Sequence, residues 1–371
     1  MASPYLTSDG ARHLQKYTYT GTDNSIFYSL ILSPLSNALI QGTPTWISPN
    51  MITMLGVNAL LLIYVSTSLH CGSSLSCRLP DSVSLICTML YFAWVVFDNM
   101  DGKQARRTQS STPLGLIYDR QSDAIEATVM STFFGILSLY GNSPYTIAIW
   151  TIAMIGCYFE NWEACYTGSY SSSSNKPLFI GILALTCAMF SPEFFTTTMV
   201  LQTEIRALAL CVFCSWVTIE VSIRIFNVLM KSDKKTDAFM SLGSLFYLIF
   251  CVAVIFVFSP SGLAYTGTRE VILFLGFIFA REMGFFQIAH ISDTEYEPLN
   301  TPNFALLSFF MFNTSCHAWG FPLFDEYNLL LVLTILAGLS YIHFIYSVTH
   351  EITKELNIPI LTNLQRKVQS V

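Results

Sequence analysis

Charge is what this sequence has least of. Asp, Glu, Lys and Arg make up 11% of its 371 residues, against roughly 25% in ordinary globular proteins. The deficit runs along the whole chain, which excludes a soluble domain on a single anchor and leaves an all-α polytopic integral membrane protein. The net charge of −6 carries little about partners, because in a membrane protein the position of charge matters more than its sum. Nucleic acid is not an expected partner. A zinc centre is not indicated either. There is no His-rich cluster, and most cysteines, Cys211 and Cys214 among them, lie in apolar runs where they read as small hydrophobes. Cys71 and Cys77, in the loop HCGSSLSCRLPD, are the pair placed for a disulfide. Residues 1–23 lack the apolar core of a cleavable signal and read as a cytosolic arm.

Apolar runs are abundant. A spanning helix needs about 20 mainly apolar residues. SPNMITMLGVNALLLIYVSTSL meets this, with Ser48 as its cap and Pro49 in its first turn. Further spans are expected near 82–100, 113–140, 143–166, 176–192, 205–230, 238–259, 269–292, 303–319 and 327–350, about ten transmembrane helices in all. Residues 24–42 are too interrupted to span and read as an amphipathic helix on the membrane surface. The expected organisation is an arm and interfacial helix over 1–47, a catalytic core of about six spans over 48–230, and a four-span region with a cytosolic tail over 231–371. With the N-terminus cytosolic, most Lys and Arg fall on the cytosolic side and only Arg78, Arg206 and Arg269 on the far side, as the positive-inside rule requires.

Against this background VVFDNMDGKQARRTQSSTPLGLIYDRQSDAIEA, residues 95–127, stands out. Asp98 and Asp101 close the second span, three residues apart. Gly115, Asp119 and Asp123 open the third, four residues apart. These spacings put side chains on one helical face, so two adjacent helix ends direct four carboxylates at one place. Isolated charges in a membrane cost several kcal/mol each. A hard, all-oxygen donor set suits Mg²⁺ or Mn²⁺ as the compensating charge, and such a site commonly holds a diphosphate. Lys103, Arg106 and Arg107 in the intervening turn are placed to neutralise the remaining charge. A solvated, salt-bridged loop accounts for one such aspartate, but not for four on two helical faces.

The array Asp98-x2-Asp101-Gly102-x2-Ala105-Arg106-x8-Gly115-x3-Asp119-x3-Asp123 resembles the signature of the CDP-alcohol phosphotransferases at all eight positions. WISPNMITMLG, WEACYTG and QIAHIS extend the resemblance to the eukaryotic choline/ethanolamine phosphotransferase branch. The resemblance implies two divalent cations, Mg²⁺ or Mn²⁺, on Asp98, Asp101, Asp119 and Asp123, with Asp123 as a ligand or the base. It implies a CDP site lined by Gly102, Ala105, Arg106 and Gly115. CDP-choline or CDP-ethanolamine would be the donor and diacylglycerol the acceptor, in a homodimer of endoplasmic reticulum or Golgi membrane with its active site facing the cytosol.

Members of that branch usually carry Glu after the Gly115 position and His after the Asp119 position, where this chain has Leu116 and Arg120. The His is a candidate base, and Arg cannot replace it because it stays protonated. Base duty then falls to Asp123, Glu126 or His290, with Arg120 available to stabilise phosphate. Trp162 and Glu163, beside Glu160 and several aromatic rings, are candidates for the headgroup. Arg281 and Glu282, deep in the eighth expected span, read as an ion pair, a cavity lining or a substrate contact.

Overall fold

A computed structural model describes residues 5–14, 21–23, 28–168, 170–172, 199–200, 203–296 and 302–362, with the single residues 197 and 298. The helices are α1 (Ser8–Leu14), α2 (Ser33–Gly42), α3 (Pro49–Cys71), α4 (Asp81–Thr108), α5 (Pro113–Leu137), α6 (Pro144–Thr167), α7 (Ile205–Lys231), α8 (Lys235–Ser241), α9 (Gly243–Phe258), α10 (Leu263–Thr266), α11 (Thr268–Ser292), α12 (Pro302–Ala318) and α13 (Glu326–Leu356). Strand among the described residues is confined to two short pairings, Gly21–Asp23 with Tyr170–Ser172 and Met199–Val200 with Thr203–Glu204.

Nine of the ten expected spans coincide with these helices. The tenth, 176–192, lies outside the described residues, as does most of the Ser-rich connector before it. Six described segments are long and apolar enough to cross a membrane: α3, α4, α7, α8 with α9, α11 and α13. A count of ten is therefore not reached on that criterion, for physical reasons. α5 carries Asp119, Arg120, Asp123 and Glu126, α6 carries Glu160 and Glu163, and α12 has only 17 residues.

Local chemistry explains the helix starts. Ser48 accepts a hydrogen bond from the Met51 amide, and Thr112 accepts one from the Gly115 amide; Pro follows each cap at the first helical position. α3 packs on α4 and α5, α5 on α6 and α11, and α6 on α7 and α11. α11 is the interior helix, with Phe274, Leu275, Ile278, Phe279 and Met283 fully buried. Gly276 lets it close onto α5, since a Cβ there would lie 2.6 Å from the Thr128 hydroxyl oxygen. The segment beyond residue 231 thus supplies one wall of the core. Conversely, α7 exposes Val212, Ile219, Ile223, Phe226 and Met230 on one side, a face fit for lipid.

The bundle has two distinct ends. At one, the Ile360 carbonyl accepts hydrogen bonds from the Ser48 hydroxyl (3.0 Å) and the Asn50 amide (3.2 Å). At the other, Cys71 and Cys77 are disulfide-bonded, the Leu75 amide donates to Asn142 (2.8 Å), and Arg206 donates to the Leu139 carbonyl (2.9 Å).

α2 lies against α4 with Ser36 and Ile40 buried, as is Leu32 just before it. Lys103 anchors it, donating to the Ser33 carbonyl (2.8 Å), the Ser33 hydroxyl (3.0 Å) and Asn37 (2.9 Å). Arg107 binds the carbonyls of Ile40 and Thr43 at its C-terminal end. Arg281 and Glu282 turn to different partners rather than to each other. Arg281 donates to Asn303 (2.8 Å) and Ser340, while Glu282 accepts from Tyr296.

Candidate active site

The four aspartates meet where the end of α4 faces the first turns of α5. Gln109, in the left-handed conformation, ends α4, and a four-residue connection leads to the Thr112 cap of α5. Asp98 lies within electrostatic reach of Asp119, Asp123 and Asp101. Asp101 is buried and held from α3, where the Thr53 hydroxyl donates to its Oδ2 at 2.5 Å; the Gly102 amide donates to its Oδ1 at 2.5 Å. Thr53 is a site residue that the sequence reading missed. Its signal was a polar residue one turn inside an apolar helix, three residues after the Ser48-Pro49-Asn50 start.

On α5 the two carboxylates are drawn together by a cation. Arg120 is buried, and its Nη2 donates to Asp119 Oδ2 at 2.6 Å while its Nη1 donates to Asp123 Oδ2 at 2.8 Å. With two carboxylates turned onto the guanidinium, no three Asp, Glu, His or Cys side chains among the described residues are assembled around one point. The donor set nevertheless fits hard divalent cations. It is all carboxylate oxygen, and Asp98 Oδ1 is buried with no hydrogen-bond partner, a costly arrangement for a carboxylate unless a cation meets it.

The three cations expected in the intervening turn lie instead on the last turns of α4, and Lys103 and Arg107 are committed to α2, a correction to their expected role against phosphate. Arg106 is exposed and lies over Gly102, its Nη1 being 3.5 Å from where a Cβ on that residue would sit. A Cβ on Gly115 would come no closer than 3.4 Å to Asn50. Packing within the protein therefore demands glycine at neither position, and both leave backbone open to a ligand. Ala105, one turn of α4 from Asp101, is half-buried on that helix, and its carbonyl accepts the Ser110 amide (3.0 Å).

Trp162 and Glu163 are engaged inside the bundle, which corrects their expected headgroup role. An aromatic cage needs open ring faces, yet Trp162 is fully buried and donates to the Ala238 carbonyl (2.7 Å) and Ser241 (3.1 Å). Both oxygens of Glu163 are taken, by Arg224 (2.7 Å) and Asn227 (2.6 Å). Glu160, one turn earlier, is also buried and also faces Arg224, at 3.9 Å, while lying within electrostatic reach of Asp123.

Glu126 continues the Asp119–Asp123 face and accepts a hydrogen bond from Tyr91 at 3.1 Å. It also borders an apolar pocket of about 470 Å³, open mouth included, between α5, α6 and α7; Met130, Phe134, Ile149, Leu210 and Phe213 are among its walls. A carboxylate cluster thus adjoins a hydrocarbon-lined pocket, with Glu126 at the junction.

Comparison with known proteins gives the same direction. Residues 46–160 match the family model described as CDP-alcohol phosphatidyltransferase. The chain is 28% identical over 389 residues to choline/ethanolaminephosphotransferase 1 of Arabidopsis thaliana, covering 95% of this chain and 97% of that protein. It is 24% identical over 381 residues to ethanolaminephosphotransferase 1 of Homo sapiens, covering 95% and 93%. Over 165 residues it is 30% identical to CDP-diacylglycerol--serine O-phosphatidyltransferase of Encephalitozoon cuniculi, covering 44% of this chain and 42% of that protein.

Proposed function

We propose that this chain, whose residues 46–160 match the CDP-alcohol phosphatidyltransferase family model, transfers phosphocholine or phosphoethanolamine from a CDP-alcohol to diacylglycerol, releasing CMP. The observation that carries this reading is the juxtaposition of the four-aspartate cluster with the apolar pocket at Glu126. A water-soluble diphosphate and a hydrocarbon-chained alcohol need such neighbouring environments.

Asp98, Asp101, Asp119 and Asp123 would hold Mg²⁺ or Mn²⁺. When bound, these ions neutralise the diphosphate and the charge that develops on the departing CMP. Arg106, exposed over Gly102, binds phosphate oxygens, while Gly102, Ala105 and Gly115 leave backbone surface for the nucleotide. The acyl chains lie in the pocket between α5, α6 and α7. The acceptor hydroxyl attacks the β-phosphorus, a new P–O bond forms, the bond to CMP breaks, and Glu126 takes the hydroxyl proton. Glu126 is preferred to Asp123 as base because Asp123 would be committed to the divalent ions, whereas Glu126 borders the pocket. The reading places the enzyme as a homodimer in endoplasmic reticulum or Golgi membrane, with the aspartates on the cytosolic side.

The similarity to the Encephalitozoon protein supports a second reading, with CDP-diacylglycerol as donor and serine as acceptor. Purified protein offered each donor–acceptor pair separately tests both. CMP release from CDP-choline or CDP-ethanolamine that depends on diacylglycerol is the expected result. Release only from CDP-diacylglycerol with serine establishes the second reading, and release from none of the pairs removes both.

A further inference from the structure

The aspartate cluster is divided into two unlike halves. On α4, Asp101 is oriented by Thr53 and Asp98 Oδ1 is buried without a partner, so this half is ready to receive a cation. On α5, the guanidinium of Arg120 already lies between Asp119 and Asp123, one nitrogen on each carboxylate at 2.6 and 2.8 Å. This half holds a fixed monovalent cation supplied by the chain itself. A second divalent ion gains these carboxylates only if Arg120 leaves them.

Arg120 cannot leave by losing its proton, since a guanidinium stays charged throughout the physiological range. It is also buried, where abandoning two carboxylates for no other anion is heavily disfavoured. The donor's diphosphate is the anion that makes the exchange possible, because its oxygens match the planar fork of a guanidinium as well as carboxylates do. Charge points the same way. With Glu126, Glu160 and Arg106 counted beside the four aspartates and Arg120, the site sums to −4; one divalent ion leaves it at −2, which repels a diphosphate, and a second brings it to neutrality, which removes that repulsion.

We propose that Arg120 is a partner-switching counter-cation: it pairs with Asp119 and Asp123 in the free chain and transfers to the phosphates when a nucleotide diphosphate arrives, admitting the second divalent ion only then. Arg120 is therefore a positioning residue that makes occupancy of the α5 half conditional on substrate. By linkage, nucleotide tightens the second ion by the same factor as that ion tightens nucleotide, typically about 5–150-fold for such couplings. This inference rests on the metal-dependent reading proposed above.

The test is Mn²⁺ binding to the purified full chain in nanodiscs, followed by electron paramagnetic resonance with and without CDP. CDP supplies the diphosphate but no transferable headgroup. The wild type is expected to bind one Mn²⁺ per chain tightly alone and two with saturating CDP, whereas Arg120→Gln binds two without CDP. Two equally tight ions in the wild type without CDP overturn the switch and leave the transfer reading standing. An Arg120→Gln protein that still needs CDP for its second ion also overturns it. Should that variant fail to fold, Arg120→Lys takes its place: a single ammonium cannot bridge both carboxylates as the guanidinium does, so its second ion should bind with little help from CDP, and a CDP requirement as strong as the wild type's overturns the switch. No Mn²⁺ binding under any condition removes the metal-dependent reading and the switch with it.

Discussion

Thr53→Val removes one hydroxyl from the site and keeps the branched shape of the side chain. The hydroxyl donates to Asp101 Oδ2 at 2.5 Å from the first turns of α3. A hydrogen bond to a charged group contributes about 1.5–3 kcal/mol, and each ~1.4 kcal/mol is a factor of ten in rate. Loss of Thr53 should therefore cost about 10–100-fold, the range found when partners that orient metal ligands are removed. The assay is initial CMP release as a function of Mg²⁺ or Mn²⁺ concentration. Thr53→Val should lower the rate and shift activation to higher metal concentration, and Thr53→Ser should recover most of both. Wild-type activity and metal dependence in Thr53→Val would refute the assignment. So would a Thr53→Ser protein as impaired as Thr53→Val, since the lost property would then be packing.

Three further outcomes are expected. Glu126→Gln should lower turnover by about 10²–10⁴-fold, the usual contribution of a general base, with Mn²⁺ binding retained; unchanged turnover would move the base elsewhere. Arg106→Ala should raise the KM for the CDP-alcohol, whereas Lys103→Met, which removes one of the two cations holding α2 on α4, should lower the thermal midpoint with a smaller effect on KM; the reverse pattern would contradict the division of labour among the cations. Replacing Cys71 and Cys77 by Ser should leave most activity, because the disulfide lies about 27 Å from Thr53 along α3 at 1.5 Å per residue. Loop-closure entropy puts the associated loss of stability at about 2 kcal/mol, readable by thermal unfolding.

The sequence disclosed the helices and the four-aspartate face because both depend on local spacing. Apolar run length sets a span, and gaps of three and four residues set a face, so Asp98, Asp101, Asp119 and Asp123 were legible before any packing was known. Thr53 was not, since its contact with Asp101 joins residues 48 apart in the chain. The committed roles of Lys103 and Arg107 were hidden for the same reason, because their acceptors lie on α2. Trp162 and Glu163 misled: an aromatic-acidic stretch reads alike whether its rings line a cage or fill a core, and only the packing of α7 and α8 on α6 distinguishes the two. The departure at Arg120 was visible in the sequence, but not that its guanidinium bridges two of the aspartates.

The most direct test of the central claim follows the headgroup itself. Purified protein in liposomes is supplied with divalent metal, diacylglycerol and CDP-choline or CDP-ethanolamine labelled in the alcohol. The account predicts that label passes into organic-soluble lipid with one CMP released per transfer. Omitting diacylglycerol, or adding EDTA until metal is restored, should stop transfer, as should Asn at Asp98, Asp101, Asp119 or Asp123. Label that stays in the aqueous phase while CMP appears, or transfer at the wild-type rate by any of the four Asn variants, would contradict it.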